Sequence, residues 1–353
     1  MIPLPSRPRD AIFLLCLAAA LSLPCLSGCY LMKQGYYVIK YTTGSVPIEK
    51  LRRRADTPLE LKRFFSLVSD IREFAFDSVG LKKNNNFTTY VKVDRKYLVD
   101  IVFAAGKDNF TPYQWRFPFF GSFPDKGYFD LNDAEAEARR LDKKGYDTYV
   151  GRGDAFSTLG FFSDPVYSFM KDFSLFEIAS LIIHEETHAT LFIKDNVQFN
   201  EEMATFFGAE GALRFIKAKF GDSSEQLKNA EKESQDYRTY IGLIDSLYNR
   251  LKIVYDETIA LQEKLRKKQE IIGQFKDFVT DKYDSLFGSP DFKGLSKVNI
   301  NNAFISSDIT YTFDLKDFYN LYQKNNRDFR AVLMCLKPLK NSKGDLHDAL
   351  RKL

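Results

Sequence analysis

Apolar positions in this chain keep two periods, and the places where the period changes divide it into segments. Over residues 30–75 they recur at helical spacing: Leu31, Tyr37, Val38 and Tyr41, then Leu59, Leu61, Phe64, Phe65, Val68 and Ile71. Pro47 and Thr57-Pro58 break the run into separate helices. From Tyr90 the pattern becomes β-branched and aromatic, which predicts strands at residues 90–93 and 97–104. An aromatic, proline-rich loop covers 115–124, an amphipathic helix 131–144, a short strand 146–150 and an extended segment 156–162. Ser174-Leu175-Phe176-Glu177 has the form of a capping box, so a long helix is predicted over about 175–194. A second helix follows from Phe199 to about Lys219. Residues 222–286 alternate charged residues with Leu243, Ile244, Leu247, Leu251, Val254 and Leu261, the pattern of a helical hairpin, and a final helix is predicted over 315–336.

This order of elements predicts an α+β fold, a small mixed sheet packed on the helix at 175–194 with a mainly helical C-terminal part. The segments read as 1–28, 29–89 (helical), 90–220 (core), 221–290 (hairpin) and 291–353 (helical). Residues 1–28 are a targeting segment. Arg7 and Arg9 precede an apolar run from residue 11 to 23, too short to span a bilayer comfortably, which ends in Leu26-Ser27-Gly28-Cys29. That ending matches a bacterial lipobox, so Cys29 is expected to be acylated and to hold the protein on the cell envelope by hydrocarbon burial. Tyr30, in place of aspartate, favours the outer membrane.

Composition narrows the function. The remaining 325 or so residues, at 44% hydrophobic, are enough for a sizeable core. A net charge of +4 with no basic block interleaved with aromatics gives nucleic-acid binding no support. Cys16 and Cys25 precede the lipobox cysteine and only Cys335 follows it, so no intramolecular disulfide is expected.

The chemistry lies in His184-Glu185-Glu186-Thr187-His188. The chain has three histidines, and two of them sit four residues apart, on one face of the predicted helix. Both imidazoles can therefore reach one metal ion, with Glu185 beside it as a proton acceptor, which is the pattern of zinc hydrolases. A structural reading, a charged helix that binds nothing, conflicts with the apolar residues packed around the motif: Leu181, Ile182, Ile183, Ala189, Leu191, Phe192 and Ile193. A catalytic zinc needs a third protein ligand and an open position. Glu201, thirteen residues after His188, is the best candidate, and Ala204 is small enough to let the helices approach; Glu202 and Glu210 compete. Glu185 would accept the water proton and deliver it to the leaving amine. Tyr311, Tyr240 and Tyr237 are candidates for oxyanion stabilisation, while His347 reads as a solvated tail residue.

His-Glu-x-x-His followed by Asn200-Glu201-Glu202-Met203-Ala204 resembles the gluzincin clan of zinc peptidases. Residues 115–121, 127–129, 145–150, 155–160 with Asp164-Pro165, and 199–206 are more closely similar to a bacterial aminopeptidase family of that type. The resemblance implies a zincin-like core, a Zn²⁺ cofactor, His184, His188 and Glu201 as ligands, Glu185 as base, and a peptide substrate. Two departures stand out. Thr205 occupies the position where thermolysin-like enzymes carry an aspartate, and the Gly-x-Met-Glu-Asn strand that grips a free amino terminus is absent. The segment Ser157-Thr158-Leu159-Gly160 could pair with substrate backbone instead, or be a buried core strand. Endopeptidase activity, or an envelope lipoprotein with a structural metal site, are the alternative functions.

Overall fold

The computed structural model of the protein describes residues 25–117, 121–154, 163–309, 315–342 and 344–353. Most of the expected leader therefore lies outside the described residues, as do Ser157 to Gly160 and Tyr311.

The chain begins with α1 (Cys25–Thr43), β1 (Val46–Pro47), α2 (Ile48–Arg53) and α3 (Leu59–Phe74), broken at the two expected prolines. A wider helical turn at Ala75–Val79 ends at Gly80, whose φ of 87° is the left-handed stop favoured by glycine. Strands β2 (Thr89–Val91) and β3 (Val99–Gly106), then β4 (Trp115–Phe117), β5 (Gly121–Phe123) and β6 (Asp125–Tyr128), lead to α4 (Leu131–Asp142) and β7 (Tyr146–Gly153). After β8 (Val166–Tyr167) come α5 (Leu175–Thr190) and α6 (Val197–Phe220). The expected hairpin forms as α7 (Glu225–Asp256) and α8 (Leu261–Leu286), followed by α9 (Asn302–Ile309), α10 (Lys316–Lys324), α11 (Phe329–Leu336) and α12 (Leu346–Arg351). The fold is mixed α and β, with helices dominant and the strands in small sheets.

Two expectations are corrected. The strands do not make one sheet: the small mixed sheet expected against the helix at 175–190 is present in the same core cluster as that helix, but most strand residues lie in separate antiparallel sheets. Sheet β6-β3-β7 is antiparallel throughout, β1-β2-β8 is a small mixed sheet, and β4-β5 is a hairpin. Helix α5 packs chiefly on α6, then on α3 and α7, while α4 and α9 cover the antiparallel sheet. Ala134, Ala138 and Leu141 of α4 bury against Val102 and Ala104, so α4 covers one face of the antiparallel sheet while α5 packs in the main core. The final helix predicted over 315–336 is two helices. Asn326 and Arg327 adopt left-handed φ values of 54° and 59°. Asp328 then caps α11, its side chain accepting the N–H groups of Arg330 and Ala331.

The main core joins α3, α5, α6, α10, α11 and α12, with Phe65, Ile71, Ile182, Ile183, Phe206, Phe207, Phe318 and Tyr322 essentially inaccessible. The hairpin has its own core around Leu247, Leu251, Phe275 and Val279. It is tied to the sheet by Lys268, whose Nζ donates to Asp147 and, at 2.9 Å, to the carbonyl of Lys107.

Candidate metal centre

Helix α5 starts where the capping box predicts. Ser174 Oγ accepts the N–H of Glu177 at 3.0 Å, and Glu177 Oε2 accepts that of Ser174 at 2.7 Å. The helix ends at Thr190, four residues early, but both histidines lie within its last two turns. Their Nε2 atoms stand 3.1 Å apart.

Glu201 enters from the second turn of α6. The reversal between the helices is held by Asn200, fully buried: its Oδ1 accepts the N–H of Ile193 at 2.8 Å and its Nδ2 donates to Ile193 O at 2.7 Å. Asp195, with φ of 61°, makes the sharp turn. The helices then run close together because Gly208 faces α5, where a Cβ would stand 2.8 Å from Ser180 O and 3.2 Å from His184 Cβ. Ala204, the small residue predicted at this contact, is likewise wholly buried.

The outcome is a three-donor cluster. Glu201 Oε2 is 3.4 Å from His184 Nε2, and Oε1 is 3.5 Å from His188 Nε2. Of the described residues, these three form the set of donors that could hold one ion. Tetrahedral coordination at zinc–nitrogen and zinc–oxygen lengths puts ligand atoms about 3.3–3.5 Å apart, so the donor set fits that ion. Its competitors face elsewhere. Glu202, adjacent to Glu201, is wholly buried, its Oε2 3.0 Å from His347 Nε2. Glu210 is half-buried and interacts with Arg238, Arg214 and Arg327. His347 is therefore no solvated tail residue: it lies on α12, packs its ring on Phe199 at 5.5 Å, and pins α6 through Glu202.

Acidic side chains gather around the cluster. Burial alone would raise Glu201, but the two imidazoles outweigh it and hold the carboxyl at about 2. Burial opposes protonation of His188, and Glu201 with Glu185 and Asp164 more than compensate, raising its pKa. Asp125 of β6 is pushed up to about 6 by burial and by Glu201. Asp164 is pushed up to about 7 by burial and by Glu185, with His188 opposing. Glu186, wholly buried, rises to about 7, with Asn84 and Arg72 opposing its burial. Burial is the larger cause of each of these upward shifts and the neighbouring carboxylates a smaller one, which a cation held by the three donors would offset. Glu185 lines a small cavity with Asp164, Phe87, Tyr167, Met170 and Leu181.

Sequence reasoning did not single out Asp125, Glu186 or Gly208 for the site. Asp164 was visible only as part of Asp164-Pro165, and nothing in its spacing from the motif signals that it returns to Glu185. Tyr240, a proposed oxyanion donor, instead donates its hydroxyl to Asp308 at 2.5 Å. Tyr237 lies on the same helix beside it, the two rings 6.4 Å apart.

A mixed α and β chain whose paired helices converge two histidines and a glutamate carries a three-donor set that could hold a metal ion. Residues 29–349 match the model of the family described as "putative aminopeptidase", and the chain belongs to that family. At a coarse level this supports peptidase activity. No curated protein and no solved structure matches the chain.

Proposed function

We propose that this protein is a zinc-dependent peptidase with a zincin-like core, held on the bacterial cell envelope by a lipid anchor at Cys29 and acting as an aminopeptidase. The observation that carries the reading is the convergence of His184, His188 and Glu201 with separations suited to one tetrahedral ion, next to Glu185. Zinc held there would polarise the scissile carbonyl and lower the pKa of water. Glu185 takes the proton from the attacking water and passes it to the nitrogen of the scissile bond, so that the C–N bond breaks with an amine, not an amide anion, as the leaving group. His347 and Asn200 act at one remove, by holding α6 so that Glu201 stays aimed at the histidines.

Membership of the family described as "putative aminopeptidase" favours an aminopeptidase over an endopeptidase. Comparing hydrolysis of a peptide with that of its N-acetylated form separates the two: an aminopeptidase loses the acetylated substrate, an endopeptidase keeps it. For the reaction itself, metal analysis is expected to give one zinc per chain, and chelation to abolish hydrolysis of a peptide library. Glu185→Gln is expected to keep zinc and lose activity by roughly 10²–10⁴-fold. A fully active Glu185→Gln protein would overturn the mechanism. Chelation that unfolds a protein with no hydrolytic activity would favour a structural metal site.

A further inference from the structure

Helix α1 has an inner face firmly seated on the protein. Tyr30 donates its hydroxyl to Gly127 O at 2.7 Å, Gln34 Oε1 accepts the N–H of Phe129 at 3.1 Å, and Tyr37 stacks on Phe129. Lys33 pairs with Asp130 at 2.9 Å and Asp133 at 2.6 Å. Its outer face is apolar and bare: Met32 is 75% exposed, Tyr36 62%, Ile39 63% and Leu31 40%. No other described helix shows more than two exposed large apolar side chains. Met32, Tyr36 and Ile39 follow one another at intervals of four and three residues within the helix Cys25–Thr43, so they share one face.

We propose that this outer face lies in the surface of the lipid bilayer, immersed beside the acyl chains carried by Cys29. The reason is the length of chain between anchor and body. Only one peptide bond separates the lipobox cysteine from Tyr30, whose side chain is already fixed on the core. Acyl chains attached there enter the membrane next to α1 and draw its apolar face to the same depth, about 5–10 Å below the headgroups for an interfacial helix. Lys40, exposed beside Ile39, is placed to meet anionic headgroups. None of the described helices is long and apolar enough to cross a membrane, so α1 rests on the bilayer without spanning it. The anchor thereby fixes the orientation of the whole body, where a flexible tether would leave it free. This inference rests on the lipobox reading and is independent of the peptidase reading.

The test uses the full chain, expressed with its own leader in a bacterium that acylates lipoproteins. Mass analysis of the mature N-terminus reads the acylation. Tyr36→Trp is compared with Ile253→Trp, an equally exposed control on α7, and with the unsubstituted protein, whose single tryptophan is Trp115. Each is reconstituted into phosphatidylethanolamine–phosphatidylglycerol vesicles with brominated acyl chains. The expected result is acylated Cys29 and a roughly twofold loss of the fluorescence that Tyr36→Trp adds, relative to unbrominated vesicles, with the Ile253→Trp control unquenched. Adding Met32→Gln and Ile39→Gln to Tyr36→Trp should remove most of that quenching. An unacylated Cys29, or a Tyr36→Trp protein quenched no more than Ile253→Trp, overturns the proposal. Emission from position 36 that is sheltered equally in both vesicle types, with cross-linked dimers, overturns it in favour of self-association.

Discussion

Glycine-to-alanine substitution at two helical positions is expected to act in opposite directions, and the sign is set by tertiary contact alone. Gly242, on the exposed side of α7, has nothing within 4 Å of an added Cβ. Gly242→Ala should stabilise the fold by roughly 0.5–1 kcal/mol, from the lower entropy of the unfolded chain. Gly208 is equally helical, but its added Cβ would sit 2.8 Å from Ser180 O, 3.1 Å from Ser180 Oγ and 3.2 Å from His184 Cβ. The closest of these is backbone, which cannot rotate aside. Restoring an ordinary contact of 3.4 Å requires α5 and α6 to part by about 0.6 Å. Such overpacking costs about 1–3 kcal/mol, which exceeds the propensity gain, so Gly208→Ala should be destabilising by about 1–2 kcal/mol. The same displacement stretches the Glu201–histidine separations of 3.4 and 3.5 Å toward 4 Å, outside the span of a tetrahedral ion. Zinc affinity should then fall about tenfold or more. Urea denaturation of the chelated proteins reads the first effect, and competition with a chromogenic chelator the second. A Gly208→Ala protein as stable as wild type, with zinc affinity unchanged, would refute the claim that this contact sets the helix spacing.

Three more outcomes follow from the same structure. Asn200→Ala removes both hydrogen bonds to Ile193 and should destabilise the protein by about 2–4 kcal/mol while weakening zinc about tenfold, measured by the same two assays. Glu233, bonded to Ser174 Oγ, is pushed up to about 7 by burial, by Glu177 and by the aspartates Asp291 and Asp236, Ser174 opposing. The folded carboxyl thus binds its proton more tightly than the unfolded one, so its contribution to stability falls as pH climbs from about 4.5 to about 7 and is level above. Glu233→Gln should flatten that slope and, with solvent screening at this half-buried site, gain about 1–2 kcal/mol at pH 8 and nothing at pH 4; a gain equal at both pH values would exclude this cause. Lys268→Ala strands the Asp147 carboxylate and should cost about 3–5 kcal/mol in urea denaturation, most of it recovered by Lys268→Met with Asp147→Leu.

Local chemistry was legible where it acts over one or two helical turns. The capping box at Ser174, the two-histidine face and the hairpin over α7 and α8 all depend on spacings of three or four residues, and each forms at the expected place. The final helix was misread because Asn326 and Arg327 take left-handed conformations that apolar periodicity does not register. The antiparallel sheet was not told apart from the mixed one because α4 and α5 both offer an apolar face, and the pattern does not say which strands each one covers. His347 looked solvated in a polar segment, since its partner Glu202 lies far away in the chain.

By itself the sequence determined the helix that carries the candidate metal site, its two histidine donors and the proposed base beside them, because those positions are related by the helix period. It also singled out Glu201 by its distance from His188, though with Glu202 and Glu210 still competing. Only the tertiary structure decided among those three glutamates, turned Glu202 toward His347, and gathered Asp125 and Asp164 from separate segments around the cluster. Those outcomes rest on how closely α5 and α6 approach at Gly208 and on how Asn200 holds the turn between them. Both are matters of packing between helices, and a one-dimensional period does not carry them.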